Sequence, residues 1–96
     1  PFNYLIRAFI GQKTPDLARQ MAEDAHRHLS ILTKSNPDII ISDPLPFSPF
    51  YTNGAYWYAL IIKTKFNKYK HNTKWLAANL GDDWKFDPNP ANLLSF

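Results

Sequence analysis

The chain has 96 residues, a net charge of +3 and a pI near 9.3, with 45% hydrophobic and 16% aromatic residues. That length suits one small domain, the apolar share excludes a disordered segment, and the modest positive balance favours acidic partners. The absence of cysteine excludes disulfides and Cys-based zinc sites, and no apolar run approaches the roughly 20 residues of a membrane span. No signal-peptide pattern opens the chain. A cytoplasmic protein without membrane contact is therefore expected. Pro1 stands where a Met would start a protein and Phe2 already reads as strand material, so the expectation is a domain cut from a longer polypeptide.

In chain order, Tyr4 to Ile10 predicts a strand with Tyr4, Ile6, Ala8 and Ile10 on one face and Leu5, Arg7 and Phe9 on the other. Gly11 and Gln12 end it. Thr14-Pro15-Asp16 is a helix start: a capping hydroxyl, a proline suited to the first helical position and a carboxylate that complements the positive helix end. A helix is predicted from about Pro15 to Thr33, with Leu17, Met21, Ala25, Leu29 and Leu32 as its buried stripe. After the Ser35-Asn36-Pro37-Asp38 turn, Ile39 to Ser42 predicts a short strand. Asp43 to Phe50 holds three prolines, which remove backbone donors and predict a stiff loop.

Thr52-Asn53-Gly54 reads as a turn into the longest β-rich run, Ala55 to Thr64. Along it Tyr56, Tyr58, Leu60 and Ile62 share one face, and Trp57, Ala59, Ile61 and Lys63 the other. Asn67 is a plausible cap for a second helix, striped by Tyr69, Thr73, Leu76 and Leu80 and ended by Gly81. Trp84 to Asp87 predicts a last short strand, stopped by Pro88-Asn89-Pro90, and Ala91 to Phe96 is an apolar tail. The predicted order is β-α-β-β-α-β: an α+β, ferredoxin-like domain with a four-stranded antiparallel sheet and two helices on one face. The other sheet face would carry Leu5, Arg7, Phe9, Trp57 and Ile61. It is apolar enough to suggest docking on the rest of a parent protein.

No acidic residue lies between Asp43 and Asp82, and the middle of that interval carries Lys63, Lys65, Lys68, Lys70, His71 and Lys74 with Phe66, Tyr69 and Trp75 interleaved. Clustered cations among aromatics are the footprint of a polyanion site; a solvated basic helix is the plain alternative. Of the aromatics, Trp57 could stack a base or pack on a neighbouring domain. Leu5, Phe9 and Ile61 around it favour packing. Tyr69 suits the core, and Phe66 beside Lys65 is the better exposed candidate.

Catalytic patterns are missing from the sequence. The three glycines, Gly11, Gly54 and Gly81, each mark a turn, so no phosphate-cradling loop exists. His26 and His28 diverge on their helix, His71 is distant, and Asp82-Asp83 sits in a turn. No metal site, no cofactor and no catalytic residue is expected in this fragment. The aromatic-rich strand motif of the RNA-recognition sheet proteins is also missing.

The chain resembles, over essentially its whole length, the C-terminal domain of the primosomal replication-restart helicase family, primosomal protein N′. That family opens this domain with Pro-Pro-Phe and a strand; here Pro1-Phe2 precede Tyr4-Leu5-Ile6. Its Gly-Pro-x-Pro stands here as Asp43-Pro44-Leu45-Pro46, and its Tyr-Arg-x-Gln with a following aliphatic run as Tyr56-Trp57-Tyr58-Ala59 before Leu60-Ile61-Ile62. Its closing Asp-Val-Asp/Asn-Pro stands as Asp87-Pro88-Asn89-Pro90, followed by Leu93-Leu94. Asp43, Trp57, Ala59 and Pro88 depart from the pattern, so contacts that the family makes through its Arg do not carry over to Trp57.

The resemblance implies a fold similar to ribosomal protein S10, at the end of a bacterial ATP-dependent 3′-5′ DNA helicase whose lobes lie upstream. It implies three partners: single-stranded or branched DNA, the acidic C-terminal tail of single-stranded DNA-binding protein, and the helicase lobes. The tail contact falls near Asn67 or Lys68, with Lys65 close by. The main expectation is a non-catalytic DNA-binding and partner-binding domain. Lys63, Lys65, Phe66, Lys68, Lys70 and Lys74 would meet nucleic acid, Lys65 and Lys68 the tail. A purely structural bracing domain, or an RNA- or ribosome-associated module of the same fold, are the alternatives. A small-molecule-binding regulatory domain is a more distant one.

Overall fold

The computed structural model describes residues 3–65 and 68–87. It is a mixed α/β fold with one antiparallel sheet and two helices: β1 (Asn3–Gln12), α1 (Pro15–Leu32), β2 (Ile39–Ile41), β3 (Leu45–Thr52), β4 (Ala55–Lys65), α2 (Tyr69–Leu80) and β5 (Lys85–Asp87). The sheet order is β2-β4-β1-β5, and β3 pairs with β4. The two long apolar runs, β1 and β4, are its centre, as their composition predicts. Their register pairs Ile6 with Ile62 and Ala8 with Leu60, all fully buried on the helix-covered face together with Ile10.

The predicted stiff loop is instead a strand, so the sheet has five strands rather than four. Leu45, Pro46, Tyr51 and Thr52 pair with Ala59, Tyr58, Tyr56 and Ala55, with a register shift between Pro46 and Tyr51. β2 meets Ile62 to Thr64 along the same edge of β4. Together β2 and β3 act as one interrupted edge strand. Prolines survive there because an edge strand leaves half of its backbone groups facing solvent, and they blunt that edge against further pairing. Ser42 bridges the interruption: its N–H donates to the Ile61 carbonyl and its Oγ accepts from the Ile61 N–H, each at 2.9 Å. The hairpin closes on Asn53 (φ 54°) and Gly54 (φ 77°), the pair of left-handed residues that a two-residue turn between twisted strands requires.

α1 begins as predicted. Thr14 caps it, accepting from the Leu17 N–H at 3.1 Å, and Pro15 opens the first turn. Its buried face differs from the predicted stripe. Ala18, Ala22, Ala25 and Leu29 are buried, whereas Leu17 and Leu32 are 44% and 45% exposed. One residue is a turn of ~100° on a helix, so the stripe has rotated by that amount at its start. Small alanines let the helix lie close on the sheet, and closeness outweighs the volume of two leucines near its ends.

α2 starts at Lys68, which makes no side-chain capping bond; Asn67 and Phe66 lie outside the described residues. The helix buries Leu76 and Asn72. Asn72 Nδ2 donates to Thr64 Oγ1, so the one polar strand position under this helix is satisfied. Gly81 (φ 90°) ends the helix, its N–H donating to the Ala77 carbonyl at 3.2 Å. Trp84 then closes the core, and the apolar tail lies outside the described residues.

Gly11 is needed for another reason than the turn predicted for it. It pairs with Trp57, and a methyl group on it would stand 2.8 Å from Cε2, Cζ2 and Cη2 of the indole alike. Gly11→Ala is expected to destabilise the chain by about 1–3 kcal/mol in urea denaturation, because a rigid ring must lift off the sheet. A midpoint equal to the parent's would show that the ring does not rest there.

Candidate nucleic-acid interface

The period of two in β4 decides where its lysines go. Ile62 and Thr64 are buried under the helices, so Lys63 and Lys65 are exposed on the opposite, uncovered face. Lys85, paired beside Phe9 through β5, joins them there. Once the chain enters α2, Lys70 and Lys74 occupy its outer surface, on the other side of the sheet, with Lys68 at the corner between the two. The continuous basic segment of the sequence is thus two groups of cations. The structure brings Lys63 and Lys65 together and separates them from Lys70 and Lys74.

The acids divide the cations further. Arg19 pairs with Asp16 and Glu23, Arg27 with Asp24, and Arg7 with Asp87 at 2.7 Å. Lys65 Nζ stands 3.9 Å from Asp38. Among the described residues, no ion pair involves Lys63, Lys68, Lys70 or Lys74. All the arginines are held by carboxylates, and Lys63, Lys68, Lys70 and Lys74 keep their charge for solvent or an anion.

The residues predicted for the uncovered face are all on it: Leu5, Arg7, Phe9, Trp57 and Ile61. Each is half-buried, which the prediction of an open face did not include. The cause is β3. Phe47, from the proline-rich segment, lies 5.1 Å from the Phe9 ring, and the Arg7 guanidinium stacks 4.5 Å above Phe47. Trp57 meets Phe9 edge-on at 5.8 Å, and its Nε1 donates to the Thr52 carbonyl at 2.9 Å. Ala59, which pairs with Phe9 on one side and Leu45 on the other, is only 2% exposed. A small residue there leaves room for the rings of Phe9 and Phe47 to meet across β4. Sequence reasoning missed both Phe47 and Asp87; Arg7 and Asp87 are 80 positions apart and no local pattern links them.

The side chains considered and set aside for catalysis are also placed. His26 Nε2 is 3.7 Å from Asp43 at the mouth of an open cleft of about 490 Å³ between α1 and the β3 edge. His28 lines a shallower hollow of about 270 Å³ with Met21, Leu80 and Trp84 between the helices. Asp82 and Asp83 are exposed in their turn. Among the described residues, no three His, Asp or Glu groups converge as metal ligands, and no helix is long and apolar enough to cross a membrane.

No protein-family model matches the chain, and no curated protein matches it.

Proposed function

We propose that this chain is a non-catalytic DNA-binding domain that grips phosphates with lysines, and that it serves as the C-terminal domain of a primosomal replication-restart helicase. The observation that carries the first part is the division of cations: every arginine is committed to a carboxylate, whereas Lys63, Lys68, Lys70 and Lys74 are in no ion pair among the described residues. Contacts of this kind set affinity rather than sequence choice. The second part rests on the resemblance carried by the four sequence motifs. The order β2-β4-β1-β5, with both helices packed on one face, supports a ferredoxin-like reading similar to ribosomal protein S10, with the β2–β3 edge counted as one strand. Under this reading the partners are single-stranded or branched DNA, the helicase lobes, and the acidic tail of single-stranded DNA-binding protein. Lys65 and Lys68, where β4 gives way to α2, would meet that tail's carboxylates.

Fluorescence anisotropy with labelled forked and single-stranded DNA tests the DNA reading. Reversing Lys65, Lys68 and Lys70 to Glu is expected to weaken binding by the chain more than tenfold while leaving its thermal midpoint within a few degrees. Binding as tight as the parent's after the triple change would refute it. For the acidic tail, calorimetry with a peptide ending in an aromatic residue and a free carboxylate is expected to show roughly tenfold weaker binding to Lys68→Ala in the full-length protein, about 1.4 kcal/mol. Equal affinity in Lys68→Ala and Lys65→Ala alike would remove both lysines from that role.

A further inference from the structure

We propose that the uncovered sheet face selects single-stranded over duplex DNA by stacking an unpaired base on Trp57, with Lys85 and Lys63 holding the phosphates that run on from it along the strands toward Lys65; this rests on the DNA-binding reading above. The indole carries the inference. Three of its ring atoms stand equally far from a methyl at Gly11, which places its face, not its edge, on the sheet. Its opposite π-face therefore points away from the sheet, and the ring is half-buried rather than sealed. The orientation is fixed twice, by the Nε1 hydrogen bond to Thr52 and by the edge of Phe9. A flat, pre-oriented ring with its second face turned away from the sheet is what base stacking requires, and little ordering entropy is lost on binding.

Charge complementarity chooses the occupant. Lys85 flanks Phe9 on one side. Lys63 lies further along β4, roughly 20 Å from Trp57 at the rise of a strand, with Lys65 just beyond it. A few nucleotides span that distance. The acid that the register places on this face, Asp87, is answered by Arg7, and the neighbouring Asp38 stands 3.9 Å from Lys65, which leaves Lys63 and Lys85 in no ion pair among the described residues. What remains is an aromatic surface with net positive charge, the combination that binds single strands without sequence preference. A duplex hides its bases and gains only the phosphate contacts.

The test compares a short oligothymidylate, an oligouridylate and a duplex of equal length against the parent chain, Trp57→Leu and Trp57→Phe. Trp57→Leu should weaken both single strands about tenfold and leave the duplex unchanged, and Trp57→Phe should recover most of that affinity. RNA bound as well as DNA supports the proposal, because base and phosphate are its only contacts. Should Trp57→Leu fail to fold, the indole N–H resonance of Trp57 in the parent chain decides: it should shift on titration with oligothymidylate while those of Trp75 and Trp84 stay. An unmoved resonance, or an equal weakening of single strand and duplex, overturns the stacking site and returns this face to protein docking. Absence of all nucleic-acid binding by the parent chain would instead remove the DNA reading itself.

Discussion

Asp87→Ala should lower the stability of the chain by about 3 kcal/mol in urea denaturation, whereas replacing both partners, Arg7→Met with Asp87→Ala, should cost about 1 kcal/mol. The two partners are only 17% and 21% exposed, and their 2.7 Å contact ties β5 to β1. Removing the carboxylate strands a guanidinium among Phe9 and Phe47, with its Nε already without a hydrogen-bond partner among the described residues. Breaking such a pair from one side costs more than replacing it, and the remaining solvent contact holds the figure at the low end of the usual range. Met keeps the volume over the rings and removes only the charge. The double variant, Arg7→Met with Asp87→Ala, should therefore be more stable than Asp87→Ala alone. Asp87→Ala within 0.5 kcal/mol of the parent, a size typical of neutral surface changes, would show that the pair is an ordinary surface contact.

Charge reversal should separate the two groups of lysines. Lys63→Glu with Lys65→Glu is expected to weaken single-stranded DNA binding roughly thirtyfold, and Lys70→Glu with Lys74→Glu about threefold. The first pair takes cations directly from the bound phosphates. The second acts on them only by long-range repulsion from the far side of the sheet. Both pairs change net charge equally, so the ratio reports position alone. An equal weakening by the two pairs would mean that DNA wraps the sheet edge instead of lying on the face. A greater weakening by the helix pair would move the site to α2.

The central architecture was legible because β1 and β4 are the two longest β-rich apolar runs and α1 opens with Thr14-Pro15-Asp16, each a local signal. β3 was not, since proline content reports missing donors and cannot tell which edge of a strand needs them. Pro46 sits opposite Tyr58 on the outermost strand, where half of the backbone groups face solvent. The turned stripe of α1 has a similar origin: Leu17 and Ala18 differ in volume, and the sheet chose the residue that permits close approach.

The candidate site was half legible. Cations and aromatics are visible as composition, but Lys63 and Lys70 fall on opposite sides only because a period of two gives way to one of 3.6 between them. Phe47 over Phe9, and Asp87 on Arg7, are long-range contacts that no window of the sequence contains.

The salt dependence of DNA binding tests the reading of the lysines most directly. A single strand held by three or four lysines releases counterions in proportion, so the logarithm of the association constant should fall against the logarithm of salt concentration with a slope of about −2 to −3. Anisotropy titrations of the chain with single-stranded DNA across a range of potassium chloride concentrations give that slope. A slope in this range is the expected result; a slope near zero, or no binding at low salt, contradicts it.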